Sequence, residues 1–429
     1  MRRIFADIPN WTLELVPRLS SLCLESIANH FEENPIFEKL PPTEKNLLLE
    51  KLSPSLPLHV TSDLPDAVYW KRCCEQRWDL CDVSLYDNSW KRMLFERHME
   101  NIIENFIPNV SEPKTVLEMV PLCKNYVKRL DIKQLLPPNK EPQRGMQKED
   151  AEEDDFENTR NNRFDFSILL DKMTNLEELH LVYKVINCGM DFEWSMFEIT
   201  DRECEFLGTA LKSCKTLKLF RLYQSHVDDT KCELLVKHLL DHPSLRELDF
   251  SHNQIGDSGA KAISKLLPRS KLETLKMWNN QIGSSGAKAI ARALSKSSTL
   301  LSLNLRLNRV MDEGGLALGK ALLTNTSLCH LDLGGNNVTG LTAFALSEVL
   351  VENKTLRKLN LSCNVLGEVG GKALAEAMSQ NTSVTECDIR LTEVDEQSAS
   401  CIEEAVRTNH FSEYKSRRRQ PLISTHLQW

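Results

Sequence analysis

Three short glycine- and lysine-containing stretches of this 429-residue sequence have spacings that could bind phosphate. GEVGGKA at 367–373 has the outline of a phosphate-binding loop, but position 366, which needs glycine, is leucine. The residue after Lys372 is alanine, where serine or threonine is required to hold magnesium. GDSGAK at 256–261 and GSSGAK at 283–288 depart from the motif in the same way. We therefore interpret all three stretches as packing positions.

Other catalytic and metal-binding patterns are absent from the sequence. It contains no H-E-x-x-H, G-x-S-x-G or kinase signature, and its 13 cysteines have no zinc-like spacing. We expect reduced thiols, and imidazoles at His226, His252 and His330 that face solvent or pack locally. The sequence predicts a protein that is not an enzyme and has no cofactor or metal site.

Charge and hydropathy exclude two classes of partner. The formal net charge of −8 argues against nucleic acid. No apolar run approaches the roughly 20 residues of a membrane span, and the first residues, MRRIFADIPNW, lack a signal-peptide core. We expect a soluble, intracellular protein that binds neither nucleic acid nor membrane.

One pattern, L-x-x-L-x-L-x-x-N-x-I/V/L, recurs five times at intervals of 27 or 28 residues. The copies begin at Leu245, Leu272, Leu300, Leu328 and Leu356, and their asparagines are Asn253, Asn280, Asn308, Asn336 and Asn364. Such a period predicts a leucine-rich-repeat solenoid. Three weaker copies begin at Leu176, Leu217 and Val384, so we predict eight units.

Each position of the repeat has a physical role. Leu248 and Phe250, two residues apart, enter the interior from a short strand, while Glu247 and Asp249 leave its other face. The asparagines can bond buried backbone groups, which predicts an asparagine ladder. The second half of each unit has helical periodicity, so the fold class is α/β: a ribonuclease-inhibitor-like horseshoe with parallel strands inside and helices outside.

The rest of the chain divides by composition. We predict a helical N-terminal domain at 1–126, with Asp66 and Ser89 preceding two of its helices as caps, and a capping strand at 127–140. An acidic flexible loop at 141–163 contains EDAEEDD, and the solenoid follows at 164–407. Surplus residues near 187–199, including Met190, Phe192, Trp194 and Phe197, predict a self-packed loop. A basic tail at 408–429 contains KSRRR.

The concave strand face is the predicted partner-binding surface. Tyrosine, tryptophan and arginine are the residue types most enriched at interface hot spots, and a tryptophan at position 278 has no evident packing role. The candidate contact residues are Tyr223, Asp249, Lys276, Trp278, Asn304, Arg306 and Arg390. A solvated polar face is the alternative.

Two resemblances refine the functional hypotheses. Val68–Phe106 resembles the end of an F-box domain, with tryptophans and basic residues around two helices. Taken whole, the start IPNWTLELVPRLSSLCLESIANHFEENPIFEKLPP, this segment, the acidic insert and the repeats resemble the leucine-rich-repeat subunits of the nexin–dynein regulatory complex. That resemblance covers nearly the entire chain and carries no catalytic residues.

Three functions follow as hypotheses. The regulatory-complex resemblance implies a scaffold in the cytoskeleton of the ciliary or flagellar axoneme, beside the doublet microtubules. Such a scaffold would have coiled-coil and leucine-rich-repeat subunits as partners and would regulate dynein-driven motility, including that of sperm. The F-box resemblance implies a substrate adaptor of a cullin ubiquitin ligase. The bare horseshoe would also suit an inhibitor or receptor.

Overall fold

The structure, a computed structural model, describes residues 18–138, 162–190 and 192–419. It separates two compact units, Met1–Arg97 and His98–Trp429. The boundary predicted after residue 126 therefore lies inside the second unit. Most of the predicted acidic loop at 141–163 and the end of the predicted basic tail lie outside the described residues.

The first unit is helical in its described part. Its helices are α1 (Leu19–Asn29), α2 (Pro42–Lys51), α3 (Leu58–Thr61), α4 (Val68–Arg77) and the first half of α5 (Trp90–Glu104), with a 3-10 turn at Val83–Tyr86. Tyr69, Trp70 and Phe95 are buried together, with the Trp70 ring 5.2 Å from Tyr69 and 5.5 Å from Phe95 between centroids. An aromatic cluster thus forms this unit's core.

The two predicted caps in this unit differ in outcome. Ser89 Oγ accepts a hydrogen bond of 3.0 Å from the Arg92 N–H and caps α5 as expected. Asp66 makes no cap to α4; its Oδ1 accepts a 3.0 Å hydrogen bond from the Lys91 N–H instead. The prediction that Asp66 caps α4 was therefore wrong, because its carboxylate accepts a backbone hydrogen bond at the start of α5.

The second unit is built on one parallel sheet whose nine strands follow chain order. The strands are β1 (Arg129–Ile132), β2 (Glu178–Leu181), β3 (Leu219–Leu222), β4 (Glu247–Asp249), β5 (Thr274–Lys276), β6 (Ser302–Asn304), β7 (His330–Asp332), β8 (Lys358–Asn360) and β9 (Glu386–Asp388). β2 to β9 are the strands of the eight repeat units, and β1 pairs with β2 from outside the array. The predicted solenoid of parallel strands and helices is confirmed.

Helices follow the strands and pack side by side. After α6 (Pro113–Cys123) they are α7 (Asp201–Ser213), α8 (Asp229–Leu239), α9 (Asp257–Ser264), α10 (Ser284–Leu294), α11 (Met311–Leu322), α12 (Gly340–Glu352), α13 (Gly367–Gln380) and α14 (Glu396–Arg419). A Cβ at Gly315 would lie 2.2 Å from Thr342 Oγ1, so α11 and α12 approach too closely there for any side chain. Small residues therefore set the helix spacing.

Neighbouring helices are also joined by carboxylates. Asp229 Oδ1 accepts hydrogen bonds from the N–H groups of Gly256 and Gly259 at 2.7 and 2.8 Å, at the start of α9. Asp257 repeats this contact to Gly283 and Gly286 at the start of α10. We call these side chains, together with Asp312, the inter-repeat caps, because each caps the helix of the next unit.

The predicted loop at 187–199 is partly self-packed. The Phe192 ring lies 5.2 Å from Trp194 and 5.6 Å from Phe197 between centroids. Met190 is fully exposed and does not join them.

At the other end of the array, α14 continues through Arg419, so residues 408–419 of the predicted tail are helical. All thirteen cysteines are free thiols.

Candidate partner-binding surface

The repeat asparagines form a continuous set of buried hydrogen bonds along the turns after the strands. Asn308 is representative: its Nδ2 donates to the carbonyls of Met277 and Leu305 at 2.9 Å, and its Oδ1 accepts from the Ile282 N–H at 3.0 Å. Equivalent bonds link each asparagine to the preceding unit. Where serine replaces asparagine, Ser225 Oγ accepts from the Tyr183 N–H at 2.9 Å. These side chains bond backbone groups that would otherwise be buried without partners.

The strand face is the side of the sheet that faces away from the buried leucines, and a second row of side chains crosses it. Each member accepts, through Oδ1, a hydrogen bond of 2.9 to 3.1 Å from the N–H two residues later. The members of this aspartate–asparagine row are Asp249, Asn304, Asp332, Asn360 and Asp388. Two predicted contact residues, Asp249 and Asn304, therefore also have a structural role at the strand ends.

Two predicted contact residues are engaged by neighbours on the strand face. Asp249 is only 4% exposed, and its Oδ2 accepts a 2.8 Å charged hydrogen bond from Arg221 Nε. Lys276 Nζ lies 2.6 Å from Glu247 Oε1. A partner would have to compete with these ion pairs, so their charges are less available than the sequence alone indicated.

Trp278 has a packing partner, contrary to the prediction that it has none. Its ring centroid lies 4.0 Å from that of His252 in an edge-on arrangement. His252 adopts a left-handed backbone conformation with φ of +57°, and its Nδ1 is 2.8 Å from Asn279 Nδ2. Trp278 stays partly exposed, so its outer surface is still available to a partner.

The remaining predicted aromatic and basic residues occupy the same row of turns. Tyr223 is half-buried with the Arg221 guanidinium 5.9 Å from its ring, and burial raises the pKa of its hydroxyl. The Asn279 N–H donates to the Arg306 carbonyl at 2.8 Å, which places Trp278 and Arg306 on adjacent turns. Arg390 lies three units further on, where its guanidinium makes two hydrogen bonds of 2.9 and 2.6 Å to Asp388.

A polar hollow of about 220 Å³ lies in the strand face across β6 to β9. Its polar lining consists of Ser302, Asn304, His330, Asp332, Lys358, Asn360, Glu386 and Asp388. Two of its three carboxylates are neutralised, Glu386 by Lys358 and Asp388 by Arg390. Hydrogen bonds from Arg390 lower the pKa of Asp388, whereas burial raises the pKa of Asp332.

Five segments of the repeat array are similar to a known repeat family. The family model described as Leucine Rich repeat matches residues 241–264, 270–291, 296–319, 324–347 and 352–375, which contain five of the eight units. The matched residues lie in the repeat array from α8 to α13, which has the leucine-rich-repeat fold. Each of these matches contains part of one of the units with a repeat asparagine or its helix.

The curated relatives that this chain matches share one name. Dynein regulatory complex subunit 5 from Macaca fascicularis is 46% identical over 271 residues, which are 62% of this chain and 54% of that protein. The protein of that name from Homo sapiens is 45% identical with the same coverage. The one from Chlamydomonas reinhardtii is 31% identical over 51% of this chain and 50% of its own. The chain thus spans about half the length of the curated relatives it matches.

The described residues of this chain hold no cluster of three or more side chains that could bind a metal ion. In the same residues, no helix has the length and apolar character of a membrane span. The stretch at 367–373 forms the first turns of α13, where Gly370 and Gly371 are buried against Gly340 and Val394. Its glycines therefore serve helix packing.

Sequence reasoning missed the hollow in the strand face. It assigned Asn304 to the surface but singled out neither Asn360 nor Asp388, and it did not distinguish Asp332 from its neighbours. The sequence feature that could have indicated the hollow is Gly334. The same repeat position holds large side chains in other units, including Tyr223, Trp278 and Arg306. A missing side chain in a row of large ones indicates a gap.

Proposed function

We propose that this chain is a non-enzymatic scaffold subunit of the nexin–dynein regulatory complex in the axonemes of cilia and flagella. There it would help to link outer doublets and regulate dynein-driven motility, including sperm motility. The observation that carries this proposal is the 45–46% identity to relatives named dynein regulatory complex subunit 5 over 62% of the chain. The same relatives lend no support to the F-box hypothesis for Val68–Phe106.

We also propose that the partner binds the strand face around Tyr223, Trp278 and Arg306, with Asp249, Lys276, Asn304 and Arg390 at its margins. Parallel strands lie about 4.8 Å apart, so the turns after β3 and β6 are separated by roughly 15 Å. That span suits one helix of a coiled coil lying across the strands. The partly exposed Trp278 and the guanidinium of Arg306 on the next turn would be central contacts, because such residues dominate interface energies.

The sequence divisions are part of this proposal. The helical segment 1–126, the strand segment 127–140 and the repeats at 164–407 would form the structural scaffold. The acidic segment 141–163 and the basic segment 408–429 would supply further contacts of opposite charge to other subunits and to the doublet microtubule surface.

The test uses the full chain, tagged and expressed in motile cilia. We expect it to remain with axonemes after a salt wash and to recover regulatory-complex subunits when it is released. Trp278→Ala and Arg306→Glu should each reduce that recovery about tenfold, equivalent to about 1.4 kcal/mol, with melting temperatures nearly unchanged.

Trp194→Ala is the matched control, because Trp194 is a 73% exposed tryptophan in the 187–199 loop rather than on the strand face. It should leave recovery unchanged. Normal recovery with both strand-face variants would mean that the partner binds elsewhere. Recovery of cullin instead of regulatory-complex subunits would favour the adaptor hypothesis and reject the scaffold.

A further inference from the structure

Asp332 is the acidic residue of the hollow whose charge is not neutralised locally. No lysine, arginine or histidine nitrogen of the described residues lies within salt-bridge distance of its carboxylate, whereas Glu386 and Asp388 each have a basic partner. Asp249, at the same position of β4, is held by Arg221. Of the three aspartates of the aspartate–asparagine row, Asp249 and Asp388 each have an ion-pair partner among the described residues, and Asp332 does not.

The surroundings of Asp332 supply further acceptors and free space. Gly334 has no side chain above the strand end. A Cβ built there would lie 3.3 Å from Asp332 Oδ1, 3.3 Å from Asn360 Oδ1 and 3.1 Å from Ser362 Oγ. Ser362 is 3% exposed, and its Oγ has no hydrogen-bond partner among the described residues. Three oxygens therefore converge beside a hollow of about 220 Å³.

This arrangement favours a cation. The Asp332 carboxylate accepts a hydrogen bond from the Gly334 N–H but forms no ion pair among the described residues, and a buried carboxylate is stabilised when a cation pairs with it. Burial raises the pKa of Asp332, and it outweighs the Gly334 N–H, the charge of Arg306 and the Asn360 side chain, each of which lowers that pKa. The negative charge is therefore only partly compensated within the chain.

We propose that the hollow at Asp332, Asn360 and Gly334 receives one lysine or arginine side chain of the protein partner. This inference rests on the proposed function in taking the strand face as the partner-binding surface, and it adds the charge of one partner residue. The ammonium or guanidinium would donate to the Asp332 carboxylate and to Asn360 Oδ1. A partner helix that also carries an acidic residue one turn away would place that residue near Arg306.

The first test does not need the partner. Butylammonium and methylguanidinium ions, which represent the two side chains, are titrated into the full chain while the side-chain amide NMR signals of Asn304 and Asn360 are followed. We expect saturable shifts in the wild type that disappear in Asp332→Asn. The ion that gives the tighter saturation identifies lysine or arginine chemistry.

Asp332→Asn is expected to fold, because Asn304 and Asn360 occupy the same position of neighbouring strands and make the same bond to the backbone. Glu376→Gln, on the exposed surface of α13, removes one negative charge elsewhere and should retain the wild-type shifts. Absence of saturable shifts in the wild type, or equal shifts in Asp332→Asn, would overturn the cation site.

The second test links the site to the partner. In the axonemal recovery experiment, Asp332→Asn should reduce the yield of regulatory-complex subunits about tenfold, while Glu376→Gln leaves it unchanged. If Trp278→Ala weakens recovery and Asp332→Asn does not, the proposed function stands and this inference fails. If the wild type recovers no such subunits, the proposed function fails and the NMR titration alone decides the site.

Discussion

At the scale of single residues, the repeat asparagines act through the backbone of two units at once. Each side chain has an oxygen with two acceptor sites and an amino group with two hydrogens, so one asparagine can bond four backbone groups, as Asn253 does. This chemistry follows directly from the consensus, which is why the asparagine positions could be predicted. The contact between Trp278 and His252 could not, because it depends on the left-handed turn at His252 and on the approach of the next unit.

We predict that Asn308→Ala lowers the free energy of unfolding by about 3 kcal/mol, because it removes three buried hydrogen bonds and leaves the Ile282 N–H without a partner. The Met277 and Leu305 carbonyls each lose one bond but keep those from Asn280 and Asn336. Urea denaturation followed by circular dichroism measures the change. Gln281→Ala is the control, since Gln281 carries the same amide group on an exposed side chain. Equal destabilisation by both variants would contradict the assigned role of the Asn308 hydrogen bonds.

At the scale of elements, strands and helices were predictable from periodicity, but the contacts between successive helices were not. From the sequence, GDSGAK, which contains Asp257, is interpreted as packing positions, and Asp229 is not singled out. In the structure Asp229 and Asp257 cap the following helix from one repeat away. A sequence window of one repeat cannot reveal such a cap, because its donors lie about 27 residues downstream.

Asp312 is the inter-repeat cap most suited to a pH experiment. Its two carboxylate oxygens accept hydrogen bonds from the backbone N–H and hydroxyl of Thr339, at 2.8 and 2.6 Å, and from the hydroxyl of Thr342 at 2.7 Å. Burial raises the pKa of Asp312, but these hydrogen bonds outweigh burial and the pKa is lowered from its ordinary 3.8. The carboxylate thus stabilises the folded state when it is ionised.

We predict that Asp312→Asn costs about 1 kcal/mol of unfolding free energy at neutral pH. Because the folded pKa is the lower one, the contribution is complete above pH 3.8 and is lost as pH falls through the folded pKa. The difference between variant and wild type should therefore shrink below about pH 4. Urea denaturation at a series of pH values measures this difference in unfolding free energy. Glu376→Gln is the control, and its unfolding free energy should match that of the wild type at each pH. A difference independent of pH would exclude an ionic cap.

At the scale of the whole molecule, the repeat array is held together by contacts between neighbouring units. Neighbouring units are joined by strand pairing, and several are also joined by a repeat asparagine or an inter-repeat cap, so stability is approximately a sum of unit and interface terms. Damage to the interior of one unit should spread first to the units beside it. The coupling between units can therefore be tested by measuring how many units away from a local defect the structure is destabilised.

Leu303 on β6, the sixth of the nine strands, is the position for that test. It is 1% exposed, and repeats with the full consensus lie on both sides of it. Leu303→Asp would place a carboxylate in the apolar interior without a basic partner, a defect large enough to unfold a unit locally. We predict faster amide hydrogen exchange in β5, β6 and β7 and their helices, with smaller changes towards β2. Leu301→Asp is the matched control, because Leu301 is 42% exposed two residues earlier. Unchanged exchange in Leu303→Asp would remove Leu303 from the core, and uniform loss of protection throughout the array would show global cooperativity in place of nearest-neighbour coupling.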